Sequence, residues 1–304
     1  MILCAGEALI DMVAQDGLFR PLPGGAVCNT AVALGRLGVP TGYLWPVSTD
    51  EFGAMLLDWL AGAGVDTTLC PRPDRPTTLA FVSLSGGDAR YRFYDEGSAG
   101  RLFAPRDLPD PLPADAQALF IGGISLVPDP CGATIGELAA RARPQMPVVI
   151  DPNIRPFFIP DRTAFLARLD RLFALADLVK LSGDDLDWIC PGTAPGDAIA
   201  RILSRGPRAV FLTGGARGAQ LYTAQGVTQA PAHPAHVADT IGAGDSFNAG
   251  LLAGLARDGL LSREGLAGLD HDRLARAMDL GLRAAAVTVS RCGANPPWAS
   301  ELGL

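Results

Sequence analysis

Six apolar runs of four to six residues, separated by stretches with helical spacing, constrain this chain more than any other feature. They lie at 2–5, 41–46, 118–122, 147–151, 178–181 and 208–213. A run without polar alternation reads as a strand covered on both faces, the condition of a parallel sheet. The stretches at 26–37, 51–63, 131–143, 162–176, 195–204, 243–257 and 271–289 carry apolar residues at helical spacing. This alternation predicts an α/β fold with a doubly wound, mostly parallel sheet flanked by helices. With 304 residues, 48% of them hydrophobic, residues 1–304 can bury one large core and are read as a single domain.

Two segments depart from the alternation. Residues 77–84 and 89–95 are rich in strand formers and flank SGGD, a hairpin turn signal. Together with about 11–22 they would form a small β-sheet inserted into the body, a lid spanning about 11–22 and 75–97. The alternative is an edge hairpin of the main sheet. Strand alternation puts Arg90, Arg92 and Tyr94 on one face and Tyr91, Phe93 and Asp95 on the other. Of these, Tyr94 is the candidate for contact with a bound substrate.

Charge and composition exclude several classes of partner. A net charge of −7 offers no basic field to nucleic acid or an anionic membrane, so a small soluble ligand fits better. The N-terminal apolar run is cut by Glu7 and Asp11, no stretch approaches a membrane span, and the six cysteines form no CxxC pair. These features read as a reduced, cytoplasmic protein. Of the 25 basic residues only Lys180 is lysine, and no glycine-rich loop precedes it. Neither a Walker A loop nor the strand lysine of a protein kinase can be assembled, which leaves backbone amides and arginines to grip phosphate. His233 and His236 are spaced like metal ligands but lack a third partner, and read as solvated.

The segment VADTIGAGDSFNAGLLAGLA, 237–256, carries the strongest chemical signal. Gly242 and Gly244 permit close approach, and the apolar period after Asp245 marks a helix whose free amides make an anion site. An acid planted beside such a site is what transfer of a phosphoryl group to a hydroxyl requires. The competing account is that Asp245 caps the helix. A dinucleotide loop would need its third glycine at Phe247.

The string from Asp239 to Asp245 resembles the C-terminal signature of the ribokinase-like (PfkB) sugar kinases. Gly24 to Ala31 resembles the family's Gly-Gly-x-x-x-Asn-x-Ala signature, preceded by a Gly-Glu-x-Leu-x-Asp pattern at Gly6 to Asp11. The resemblance covers nearly the whole chain. It implies an ATP-dependent kinase using Mg2+, with potassium activation open, and Asp245 as catalytic base beside Gly242, Ala243 and Gly244. By the same resemblance Asp11, Gly24, Gly25 and Asn29 hold the sugar, and Arg155, in the family's Asp-x-Asn-x-Arg segment, faces substrate and phosphates. Lys180, Thr213, Gly215 and Gly218 fall on the nucleotide side with Gly242 and Gly244. Asp185, standing where the family has glutamate, is the candidate metal contact through water, and Asp239 the candidate for a monovalent cation.

Among family members the sequence looks most like fructokinases. 2-Keto-3-deoxygluconate kinase is the alternative, followed by ribose and nucleoside kinases, with a non-catalytic binding protein of the same fold as a different class. The lids of relatives sometimes pair across a homodimer, so the resemblance leaves a homodimer open here.

Overall fold

A computed structural model describes residues 1–85, 88–268 and 270–304, with the backbone alone described for 82–85, 88–91 and Ala267. The SGGD turn at Gly86 and Gly87 therefore lies outside the described residues. The strands are β1 Ile2–Ala5, β2 Leu9–Gln15, β3 Leu18–Gly24, β4 Thr41–Leu44, β5 Leu79–Ser85, β6 Asp88–Tyr94, β7 Ala118–Gly122, β8 Val148–Asp151, β9 Leu178–Ser182, β10 Ala209–Thr213, β11 Ala219–Thr223 and β12 Gly226–Ala230. The helices are α1 Ala26–Arg36, α2 Glu51–Gly62, α3 Cys131–Ala142, α4 Arg162–Leu175, α5 Gly183–Ile189, α6 Pro195–Leu203, α7 Ala243–Arg257, α8 Arg263–Ala267 and α9 His271–Val289.

The main sheet runs in the order β12-β11-β10-β9-β8-β7-β1-β4. All neighbours from β4 to β10 are parallel. The six apolar runs are its six parallel strands, and four of them, β1, β4, β7 and β8, are buried throughout. Burial on both faces is why they lack alternation. The antiparallel pair β11 and β12, which the sequence reading misses, extends the sheet to an exposed edge. The chain winds one way from β1 to β4 and the other way from β7 onward. The crevice between β1 and β7 is thus the switch point where ligands of open α/β sheets collect.

Local chemistry fixes the helix starts. Asp50, Asp161 and Asp270 each accept a backbone N–H from the first turn of α2, α4 and α9, replacing partners that the helix itself cannot supply. Helices α1 and α7 differ, beginning after Gly25 and Gly242 with no side-chain cap at those positions. Helix α7 packs along α9 and against α1. A buried bond from Thr288 Oγ1 to Ser246 Oγ, 2.7 Å, ties α9 to the first turn of α7.

A second, four-stranded sheet has the order β3-β2-β5-β6, with β2 and β5 parallel and the outer pairs antiparallel. It is separate from the main sheet, so the edge-hairpin alternative does not hold. Leu9 and Ala80 from this sheet join Ile124 in a small buried cluster flanked by Phe93 and Phe158. Elsewhere on the sheet, Phe81 packs edge-on against Phe19 and Tyr94. Among the described residues, no helix is long and apolar enough to cross a membrane.

Candidate active site

The carboxyl ends of β1, β8 and β9 and the starts of α1 and α7 converge on a cavity of about 300 Å3. Asp245 occupies the third position of α7, only 7% exposed, on the cavity wall. Its Oδ2 accepts from Asn29 Nδ2 at 2.9 Å, not from an amide of its own helix. The capping alternative therefore does not describe this carboxyl. Gly242, in the left-handed conformation at φ 77°, lets the chain turn sharply into α7 and brings Gly244 to the same wall. The start of a 15-residue helix borders the cavity here, an electropositive end suited to an anion.

Burial pushes the Asp245 carboxyl up to about 6, and Asp151 adds to this, while the Asn29 hydrogen bond, Lys180 and Arg155 oppose it. Asp11, opposite, is pushed up to about 7 by burial and by Asp245, against the pull of Arg155. Gly25 and Asn29 line the same cavity; Gly24 does not, lying beneath the Asp11 carboxylate. Asn29 Oδ1 is a buried acceptor without a hydrogen-bond partner among the described residues. An unpaired buried oxygen costs free energy until a donor such as a hydroxyl meets it.

Arg155 reaches the cavity from a strained loop. Asn153 stands at φ 42°, a left-handed conformation uncommon outside glycine. The Arg155 guanidinium donates to Asn153 Oδ1 at 2.7 Å, which fixes its direction. The next residues, Pro156–Phe158, turn back so that Phe157 and Phe158 meet Phe93 at ring distances of 6.0 and 5.0 Å. Phe93 lines the cavity. Tyr94, expected to face the substrate, is 55% exposed and packs on Phe81 instead. From Arg92 to Asp95 the strand alternates as anticipated, but it is Phe93 rather than Tyr94 that turns inward; Arg90 and Tyr91 lie outside the described side chains.

The single lysine also belongs to this cavity. Lys180 projects from β9, and its Nζ donates to Asp151 Oδ2 at 3.0 Å; Asn248 Nδ2 donates to the same oxygen at 2.7 Å. Burial favours the neutral amine, yet Asp151, Asp185 and Asp245 outweigh it and hold the group above its ordinary value, so it is a cation at neutral pH. Its Nζ would stand 3.1 Å from a Cβ built on Gly244. A strand lysine outside any Walker motif thus reaches the start of α7.

A second cavity, about 510 Å3, lies on the other side of this turn. Thr213, Gly215 and Gly218 line it, with Val237, Leu282, Ala285, Ala286 and Val289 supplying apolar walls. Ala243 belongs to this cavity alone, whereas Thr240 and Gly244 line both. His233, read as solvated, also lines it and contacts Asp279 Oδ1 at 2.8 Å.

Two expected ion contacts have other partners. Asp185 accepts from Ile154 N through Oδ1 and from the Ser182 amide and hydroxyl through Oδ2, capping α5 and holding the Arg155 loop to it. Asp239 accepts from Ile241 N and Gly293 N, joining the turn before α7 to the segment after α9. Glu7, missed as a site residue, is 4% exposed on the cavity wall and pushed up to about 7 by burial.

Residues 1–301 match the sequence profile described as pfkB family carbohydrate kinase. The chain belongs to the pfkB family of carbohydrate kinases. This kinase is 45% identical over 284 residues to a fructokinase of Rhizobium leguminosarum bv. trifolii, covering 92% of this chain and 87% of the relative. A fructokinase of Klebsiella pneumoniae is 36% identical over 84% of each chain. Among solved structures, a fructokinase from Xylella fastidiosa with bound ATP superposes with a TM-score of 0.90 at 31% identity, covering 99% of the kinase and 96% of that chain. An aminoimidazole riboside kinase from Salmonella enterica, complexed with aminoimidazole riboside and an ATP analog, gives 0.87 at 27% identity, covering 99% and 98%.

Proposed function

We propose that this kinase transfers the γ-phosphoryl group of ATP to the primary hydroxyl of fructose that yields fructose 6-phosphate. One observation carries the reading: the turn of Thr240 and Gly244 is a common wall of two cavities, one polar and acid-lined, the other apolar. Sugar in the first and ATP in the second would meet across that turn, with Asp245 on the sugar side. The names of the Rhizobium and Klebsiella relatives support fructose as the acceptor.

In this reading Asp11 and Asn29 orient sugar hydroxyls, Asn29 Oδ1 supplying an acceptor that has no donor among the described residues. Asp245 takes the proton of the attacking hydroxyl. A carboxyl titrating at about 6 is mostly ionised at neutral pH and less acidic than an exposed aspartate, which suits a general base. The amides opening α7 and the Lys180 ammonium face the charge that spreads over the moving group. Thr213, Gly215 and Gly218 bound the nucleotide side, and the small sheet acts as a lid whose Phe93 excludes competing water.

Magnesium fits this site as a companion of the nucleotide. Among the described residues no group of three or more His, Cys, Asp or Glu side chains is placed to hold a metal ion, and Asp185 is already engaged. The ion would arrive on ATP phosphate oxygens, keeping part of its water shell, and would neutralise phosphate charge there.

The test is ADP release from Mg-ATP with fructose, 2-keto-3-deoxygluconate, ribose, tagatose and adenosine in parallel. Fructose is expected to give the highest kcat/KM. A clear preference for another acceptor would overturn the substrate, and no acceptor-dependent ADP release would overturn the kinase mechanism.

A further inference from the structure

Glu7 leaves the end of β1 at the switch point of the main sheet. Its Oε1 accepts from Ala26 N at 3.2 Å, the first amide of α1, and its Oε2 accepts from Ser125 N at 3.2 Å, in the turn after β7. One carboxylate therefore joins the two elements on either side of the crevice. Helix α1 has no side-chain cap from Gly25, so Glu7 takes over what a capping residue would do. The surrounding chain is shaped to this group: at Gly123, φ 65°, a Cβ would stand 1.9 Å from Glu7 Oε1. The Glu7 carbonyl also accepts from Cys28 N, so both ends of the residue grip the first turn of α1.

That turn carries Asn29, which meets Asp245 across the cavity. We infer that Glu7 is a positioning residue, which sets the first turn of α1 against the segment after β7 so that the Asn29 amide is held on Asp245. The inference rests on the kinase reading of the site and adds a residue for which that reading gave no role. Glutamine in its place has one acceptor oxygen and directs an NH2 group at one of the two backbone donors, so one bridge is lost without changing the side chain's size.

The experiment combines Glu7→Gln with Asn29→Ala in a double-mutant cycle on the full chain. Glu7→Gln alone should lower kcat by about 10- to 100-fold, the range for a lost charged hydrogen bond, while ATP KM stays within about two-fold. In the Asn29→Ala background the same change should cost less than about two-fold more, because the residue through which Glu7 acts is gone. Independent multiplicative losses in the double variant would overturn the inference, as would wild-type kinetics in Glu7→Gln.

Amide exchange on the ligand-free proteins gives a readout that needs no turnover. Glu7→Gln should speed exchange at 26–29 and 123–127 while leaving α9 unchanged, and unchanged exchange at 26–29 would also overturn the bridge. Gly123→Ala, which displaces the carboxylate without removing it, should reproduce the effect. A wild-type protein without acceptor-dependent ADP release would refute the kinase mechanism, while the exchange result would still decide the role of Glu7.

Discussion

The Asn29 side chain on α1 donates to Asp245 Oδ2 on α7 at 2.9 Å, across 216 residues of sequence. The bond lowers the carboxyl's affinity for protons against the burial that raises it. Removing it with Asn29→Ala should raise the pKa of Asp245 above its present value of about 6. A base works only when ionised, so the acidic limb of the kcat profile should move to higher pH, with kcat at its plateau down by about 10-fold. A pH profile measured between 5 and 9 checks this, and an unmoved limb would separate the bond from the chemistry.

Asp245→Asn should reduce kcat by about 10² to 10⁴ while leaving sugar affinity nearly intact. Calorimetric binding of sugar to the variant, set beside its steady-state rate, separates the two. Turnover close to wild type would remove Asp245 from proton transfer.

Asp11 carries a cost in stability. Its carboxyl moves from an ordinary 3.8 to about 7 on folding, mainly through burial. The folded chain then binds more protons than the unfolded chain between those values, so stability from this group falls as pH rises through the window. Asp11→Asn should melt above wild type by about 5 °C at pH 8, with the gap closing near pH 4. Thermal unfolding at both pH values tests it; a gap of equal size at both would assign the gain to something other than ionisation.

Lys180→Met should destabilise the protein by about 3–5 kcal/mol, because it strands the buried Asp151 carboxylate. Adding Asp151→Leu should recover much of that stability without recovering kcat. Melting temperature and turnover measured on the same samples distinguish a packing role for the pair from a role of the ammonium in transfer.

Phe93→Ala should raise sugar KM by about 10-fold and increase ADP release in the absence of sugar, since water gains access to the site. Tyr94→Ala, on the other face of the strand, should change neither by more than about two-fold. If Tyr94→Ala were the damaging change, the face assignment would be reversed.

The parallel strands were readable because burial on both faces writes itself as unbroken apolar runs, and α7 and α9 end where their apolar period ends. The pair β11 and β12 escaped notice because AQLYT and GVTQA sit at a half-exposed edge and lack such runs. Asp11, Gly25, Asn29, Arg155 and Asp245, far apart in the sequence, line one cavity. Tyr94 failed because alternation gives two faces but not which one turns inward. Glu7 looked like a mere interruption in an apolar stretch; only the return of the chain at Ala26 and Ser125 gives its carboxylate partners. Lys180 was named from its motif, but its partner needed the sheet itself, which lines up the ends of β8 and β9 so that Asp151 can hold it beside Gly244.

Thr240 and Gly244 border both cavities, and in the proposed reading the groups that distinguish one ligand from another stand on opposite sides of them. Changes at Phe93 or Asn29 alter one compartment, and changes at Val237 or Leu282 alter the other. If sugar and ATP occupy the two cavities as proposed, acceptor choice and donor choice can drift independently over evolutionary time, each able to vary without dismantling the junction that both reactants would share.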